Sequence, residues 1–484
     1  MRTHRHMYAA ALIALGAGTS ACTEQRASGP DEPQLLIYRT GTVALSPATD
    51  SVAIGSTRQL TATANDRRGN AISGAVFTWT SATPAVATVS SSGLVTGVAA
   101  GTAVISAARN GVSASATMKV TGSVVPPVVP PVVPPVGTTG RWVSGYYAGY
   151  QRNLYPEGQI DFSIMTHIIV VGIEPTANGG VSTDFFIDNT NGPIMAKAIS
   201  SRAHAAGRKA ILMLGGAGYR DALAAATTPA NMPTFVNNLI NTMTTLGYDG
   251  IDVDWEPIPS VDEPVAIDLL KRLRAARPGI ILTFPVGWTG PVTPFYVTVA
   301  GLVDQMNIMS YGMSGNWGGW DSWHDAALFG ETSSHPSSIS AAVKLYQNVG
   351  IPNSKIGVGI GAAGSCWKNV STMGVSLAAG QDVIANDNVM SYVNIVTQYY
   401  SASAYRWDAV AKAGYLSLPT ATGPAGCNLV SYEDPQAVTE RGNYVTSAGL
   451  GGAIVWTVNQ AYFPGAAVGS RDPLLKAAYT SIVP

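Results

Sequence analysis

The spacing of apolar positions changes character three times along the chain. Between residues 35 and 121, larger apolar residues alternate with Ser and Thr, as in Leu60-Thr61-Ala62-Thr63-Ala64 and Phe77-Thr78-Trp79-Thr80, and Gly-containing turns separate the runs. Side chains along a strand point alternately to opposite faces, so this period of two predicts a small all-β sandwich. Residues 122–140 contain Val-Val-Pro-Pro repeats from Val124 to Val136. Proline fixes φ and removes a backbone donor, so this segment reads as an extended polyproline linker with a reach of about 40 Å. From 141 to 484, Val/Ile/Leu-rich runs alternate with helical stretches, at 142–147, 167–172, 209–214, 250–256, 280–286, 305–311, 355–360 and 452–457. These runs are too apolar for half-exposed strands, and strand–helix alternation at this spacing predicts a parallel sheet closed into an α/β TIM (β/α)8 barrel. The longest connection, 361–451, is expected to carry a small insertion around 405–418.

Composition supports a multidomain chain with large cores. A length of 484 residues fits two or three domains. Charged residues make up 12% and hydrophobic residues 46%, which argues against disorder. Lys+Arg 28 against Asp+Glu 29 leaves a net charge of -1, so no basic excess exists to neutralise nucleic-acid phosphates. No uncharged apolar run reaches the ~20 residues of a spanning helix.

The first residues read as an address. Arg2 and Arg5 precede an Ala/Leu-rich stretch that ends in Thr19-Ser20-Ala21-Cys22. Residues 1–22 are therefore expected to be a signal peptide, and small residues before Cys22 resemble a bacterial lipoprotein signal in which that Cys is lipidated. Thr19 stands where such signals usually carry Leu, and simple cleavage near Ala21 is the alternative. Export to the cell surface or outer membrane, or else secretion, follows, with the membrane touched only through the lipid anchor. Cys366 and Cys427 then remain as an even pair that permits one disulfide in an exported protein.

The candidate chemistry lies in Tyr248-Asp249-Gly250-Ile251-Asp252-Val253-Asp254-Trp255-Glu256-Pro257. On a strand, Asp252, Asp254 and Glu256 share one face, while Ile251, Val253 and Trp255 share the other. If the apolar face packs on helices, three carboxylates point into the barrel. Like charges out of water push at least one pKa upward, as a general acid near neutral pH requires. Alternating carboxylates also suit a Ca²⁺ or Mg²⁺ site or a buried structural network. Glu256 comes last, nearest the mouth, where barrel chemistry is found.

These residues carry a specific resemblance. Asp249, Asp252, Asp254 and Glu256 match the D-x-x-D-x-D-x-E signature of glycoside hydrolase family 18, the chitinase family. Gly145-Tyr146-Tyr147, Met309-Ser310-Tyr311, Gly315-Asn316-Trp317, His324-Asp325-Ala326-Ala327-Leu328, Tyr432-Glu433-Asp434-Pro435 and Gly451-Gly452-Ala453-Ile454-Val455-Trp456 resemble other elements of that family. The resemblance implies a retaining, chitinase-like glycosidase without cofactor or metal, acting on chitin or other N-acetylglucosamine-containing glycans as a monomer. It implies catalytic roles for Glu256, Asp254, Asp252 and Tyr311, and substrate contacts for Trp456, Tyr146, Met309 and Trp317, with Asp249 structural. The earlier segment resembles the group 2 bacterial immunoglobulin-like family through Gly55-Ser56-Thr57-Arg58-Gln59-Leu60 and Gly93-Leu94-Val95-Thr96-Gly97-Val98. It implies an immunoglobulin-like spacer in which Trp79 is a core residue, a sugar platform being the alternative.

Two positions depart from the glycosidase pattern. Gly312 stands where the family often has Asp, and Met213 where it often has Ser. Endo-β-N-acetylglucosaminidase action on N-glycans and non-hydrolytic glycan binding remain as alternatives. Gly359-Ile360-Gly361-Ala362-Ala363-Gly364 fits a dinucleotide-binding spacing but opens no convincing helix. Trp288, Trp317, Trp320, Trp323 and Trp367 fall after candidate strands, as sugar-stacking candidates or as loop packing.

Overall fold

The computed structural model describes residues 40–54, 56–121, 140–377, 383–384 and 388–483. The expected leader, Cys22 and nearly all of the Val/Pro segment lie outside the described residues. The chain forms two compact units.

In the first unit, Thr40–Ser46 pairs antiparallel with Thr61–Asp66. Thr49–Ala53, Val112–Thr121, Gly101–Arg109 and Thr78–Ser81 lie side by side in a second sheet, and Thr57–Gln59, Leu94–Gly97 and Ala87–Val89 form a third. The period of two is literal: Ala116, Met118 and Val120 are buried while Ser115, Thr117 and Lys119 between them are exposed. Leu60, Val95, Ile105 and Met118 sit in the resulting core, and Trp79 packs against it.

The second unit is a closed barrel of parallel strands, labelled β1 (Trp142–Ala148), β2 (His167–Pro175), β3 (Lys209–Ala217), β4 (Gly250–Glu256), β5 (Ile281–Val286), β6 (Gln305–Ile308), β7 (Ile356–Gly361) and β8 (Gly452–Trp456). Each pairs with its sequence neighbours, and β1 bonds both β2 and β8, which closes the ring. Outward side chains such as Ile251, Val253 and Trp255 join the large core under the helices. Inward apolar side chains form a separate, smaller cluster of Tyr146, Ile169, Ile211, Met213 and Ile454. The rest of the interior is largely polar, and hydrogen bonds cross it between strands, for example where Trp142 Nε1 donates to Asn307 Oδ1 at 3.0 Å.

Two expectations need correction. The sixth strand stops at Ile308 and does not run to Tyr311. From there a side chain takes over the ladder: Ser310 Oγ accepts from Gly359 N at 2.9 Å and donates to Gly359 O at 3.1 Å. The insertion is also larger than 405–418. It is a five-stranded antiparallel sheet in the order Val383–Ile384, Gly364–Trp367, Cys427–Tyr432, Ala413–Thr422, Tyr405–Asp408. Only its local hairpin was visible as a repeating pattern, because Gly364–Trp367 finds its partner strand some 60 residues away.

Cys366 and Cys427 are joined within this sheet, Cα to Cα 5.4 Å, across a sequence separation of 61. Cross-linking a loop of that length restricts the unfolded chain, an effect of about 2–4 kcal/mol. Reduction, or Cys366→Ser with Cys427→Ser, is expected to lower unfolding stability by about that amount. A denaturant titration with and without reductant checks it.

Candidate active site

Register places the central residues in one layer. Asp252 on β4 stands opposite Met213 on β3 and Thr283 on β5, and Asp254 and Glu256 stand opposite Gly215 and Ala217. The inner face of β4 therefore rises from a deep, dry position to the mouth: Asp252 is fully buried, Asp254 almost so, and Glu256 half-buried.

The deepest carboxylate is held by two hydroxyls. Tyr146 Oη donates to Asp252 Oδ2 at 2.8 Å, and Thr283 Oγ1 donates to Oδ1. Burial raises the Asp252 pKa from 3.8 to about 6, against the lowering effect of these hydrogen bonds. Met213 brings a thioether to this layer, so β3 adds no further donor. Burial likewise lifts Asp254 well above the usual carboxylate range, with the charges of Glu256 and Asp252 adding to the effect. Asp254 hydrogen-bonds Glu256 through one oxygen, whereas its Oδ1 is buried with no hydrogen-bond partner among the described residues. Glu256 is itself raised by burial, an effect its hydrogen bond to Asp254 opposes. Tyr146 is kept protonated by burial and by both aspartates, so it stays a donor. This ladder holds protons, and it offers few of the open oxygens that a hard cation needs.

The ladder opens into a cavity of about 210 Å³ lined by Tyr146, Met213, Glu256, Met309, Tyr311 and Trp456, among others. The Tyr146 and Trp456 rings meet at 5.4 Å with planes tilted by 60°. Tyr311 crosses the end of β7, where a Cβ at Gly359 would come within 2.8 Å of its ring and one at Gly361 within 2.9 Å of the Tyr311 Cβ. The close approach of Tyr311 thus explains Gly359 and Gly361, whereas a Cβ at Gly364 would run into the Ser431 carbonyl. On the rim, Trp288 and Trp317 stack at 6.2 Å, and Trp317 meets Trp320 edge-on at 4.7 Å. Trp317 is 43% exposed, whereas Trp323 and Trp367 are buried and serve as packing.

Asp249 stands apart from this group. It lies just before β4, at the far end of the barrel from Glu256, where Oδ2 is 2.8 Å from His204 Nε2 and accepts from Ala210 N at 2.9 Å, with Lys209 Nζ 3.2 Å from Oδ1. Sequence reasoning missed Thr283, Pro285, Ile454 and Asp325. Thr283 carried a signal, since counting inward positions on β4 and β5 from the barrel register brings it level with Asp252.

The family model for glycosyl hydrolases family 18 matches residues 143–461, and that for the bacterial Ig-like domain (group 2) matches residues 40–120. Endochitinase 1 of Metarhizium robertsii is 29% identical over 250 residues, covering 48% of this chain and 57% of that protein. Chitinase A1 of Niallia circulans is 22% identical over 293 residues, covering 52% of this chain and 40% of that protein. The chain thus spans only about half the length of these curated relatives. Among solved structures, an Ostrinia furnacalis Group II chitinase catalytic domain 2 mutant in complex with an N-acetylchitooligosaccharide (NAG)5 superposes with a TM-score of 0.60 at 20% identity, covering 71% of this chain and 96% of that one. A class V chitinase mutant from Nicotiana tobaccum in complex with NAG4 gives 0.57 at 20% identity, covering 71% and 99%. At such identities these structures speak for the fold.

The raised Asp252 pKa has a consequence for stability. A carboxyl whose folded pKa exceeds its unfolded value favours folding while protonated, and that contribution is lost as pH rises from 3.8 to about 6. Asp252→Asn is therefore expected to be more stable than the native chain at pH 7, by on the order of 2 kcal/mol, with no gain at pH 4. Thermal unfolding of both proteins across that range checks it.

Proposed function

The chain belongs to glycosyl hydrolases family 18, and on that footing we propose that it cleaves β-1,4 bonds of chitin or N-acetylglucosamine oligosaccharides with retention, the substrate's own acetamido group acting as nucleophile. The observation that carries this reading is the placement of the carboxylates. Those lining the catalytic cavity, Asp254 and Glu256, lie two residues apart on one strand and are bonded to each other. A two-carboxylate retaining mechanism needs a nucleophile set across the sugar from the acid, and no carboxylate of this cavity among the described residues stands there.

The steps follow from position. Glu256, at the mouth, donates its proton to the leaving oxygen as the C1–O bond breaks. The acetamido oxygen bonds to the anomeric carbon and forms an oxazolinium ion. The unpartnered Oδ1 of Asp254 accepts from the acetamido N–H, which aligns that attack and spreads the positive charge. Tyr311 donates to the acetamido oxygen, and Trp456 with Tyr146 forms the apolar floor. Water then attacks the anomeric carbon from the face the leaving group vacated and gives its proton to Glu256, while the bond from that carbon to the acetamido oxygen breaks and the acetamido group is restored, so the β configuration returns. Asp252, held in place by Tyr146 and Thr283, sets its charge beneath Asp254 and strengthens that residue's hold on its proton.

The names of the relatives favour chitin over N-glycans as substrate, and the rim of Trp288, Trp317 and Trp320 offers stacking surface for a longer chain. The leader-like residues 1–22, with Cys22 as the lipidation site, and the Cys366–Cys427 disulfide support export of the protein.

Glu256→Gln is expected to lose hydrolysis of chitin oligosaccharides by roughly 10²–10⁴-fold while keeping oligosaccharide binding. Native turnover in that variant would sink the mechanism. Glycan release from an N-glycoprotein, with chitin oligosaccharides left intact by the native enzyme, would move the substrate to N-glycans. Binding without product from either would make the protein a lectin.

A further inference from the structure

Past Tyr311 and Trp456 the cleft continues into a second lobe of about 140 Å³, walled by Gly312, Asp325, Gly361, Ala363 and Gly364. Apart from the two aromatic residues it shares with the main cavity, Asp325 is the one lining residue whose side chain can hydrogen-bond a ligand. That carboxylate is 5% exposed and firmly placed. Oδ1 accepts from Ser365 Oγ at 2.7 Å and Oδ2 from Gly312 N at 3.2 Å. The Asp325 backbone is fixed as well, its N donating to Ser431 Oγ at 2.7 Å and its carbonyl accepting from Met313 N at 2.8 Å. One insertion strand and the turn after Tyr311 thus hold the Asp325 carboxylate beside the catalytic cavity, while a second insertion strand fixes its backbone.

Gly312 gives this placement its meaning. It stands where the sequence resemblance expects an aspartate, it has a φ of +61°, and a Cβ there would meet nothing within 4 Å. The space a side chain from 312 would address is open, and the Asp325 carboxylate reaches its edge by bonding the Gly312 N–H. We propose that Asp325 is a substrate-positioning and specificity-determining residue, whose carboxylate accepts hydrogen bonds from sugar hydroxyls in the second lobe and replaces the acidic side chain that Gly312 lacks. The inference rests on the glycan-hydrolase reading above but not on turnover, because it concerns binding. Partners within the protein, Ser365 and Gly312 among them, orient the Asp325 carboxylate, and because each of its oxygens accepts more than one hydrogen bond a sugar hydroxyl adds to these contacts. Neutral sugars carrying free hydroxyls suit this lobe. A ligand with a negative charge at that point would meet the Asp325 carboxylate and be rejected.

The test is a set of variants measured for binding in the Glu256→Gln background and for kinetics in the active enzyme, with circular dichroism as the fold control. Asp325→Asn keeps an acceptor for the Gly312 N–H and removes the charge. It is expected to raise the oligosaccharide Kd and the KM about tenfold, with a smaller change in kcat. Adding Gly312→Asp to Asp325→Asn restores a carboxylate from the other side and, because the φ of +61° strains any side chain there, is expected to recover part of that loss. Gly312→Asp alone sets two acids side by side and is expected to weaken binding. Ser365→Ala, which loosens the Asp325 carboxylate without touching the backbone, provides a further reading should Asp325→Asn fail to fold, and its Kd is expected to rise severalfold. Unchanged Kd in Ser365→Ala and in a folded Asp325→Asn would overturn the proposal, as would a folded double variant that recovers nothing. Binding that follows these expectations in a chain that cleaves no glycan would instead remove the hydrolase reading and leave the Asp325 inference standing.

Discussion

Three carboxylates confined to the inner face of one barrel strand cannot all be charged, and most features of the catalytic unit answer to that constraint. The closed parallel ring leaves Asp252 no solvent, so it depends on the hydroxyls of Tyr146 and Thr283, both delivered from other strands at the same height. Asp254 and Glu256 share a hydrogen bond where two ionised groups would repel. The arrangement is costly to folding and useful to chemistry, because a proton retained near neutral pH beside the mouth is available for a leaving oxygen.

The walls of the cleft follow from the same site. Gly359 and Gly361 let Tyr311 lie across the end of β7, and Ser310 keeps β6 and β7 joined after the ladder has stopped, so Tyr311 and Met309 are free to face the cavity. The insertion sheet is more than an ornament on a loop. Its strands deliver Ser365 and Ser431 to Asp325, and Cys366–Cys427 ties the strand beside the barrel to its neighbour. Rigid supports of this kind hold reacting groups within the tolerances that catalysis demands.

Much of this was legible in the sequence, for a physical reason. The alternation Ile251-Asp252-Val253-Asp254-Trp255-Glu256 specifies both a strand and which face carries the acids, and a buried acidic face admits few explanations. The barrel strands were equally plain, being apolar runs that a parallel sheet covered on both faces requires. What stayed hidden depends on contacts between distant segments. Thr283 has an unremarkable local sequence and matters because register sets it beside Asp252. Asp325 lay within a recognised family element, yet nothing local shows that its carboxylate reaches Gly312. Gly364–Trp367 reads as a loop until Cys427–Tyr432 pairs with it.

On the reading proposed above, the proton store on β4 serves a substrate-assisted, retaining cleavage. Proton nuclear magnetic resonance of the first sugar released from a chitin oligosaccharide, recorded before mutarotation, tests it most directly. New reducing ends are expected to appear as the β-anomer and to relax to the equilibrium mixture. Reducing ends that appear first as the α-anomer would contradict it, since inversion requires water to attack directly with a second carboxylate as base.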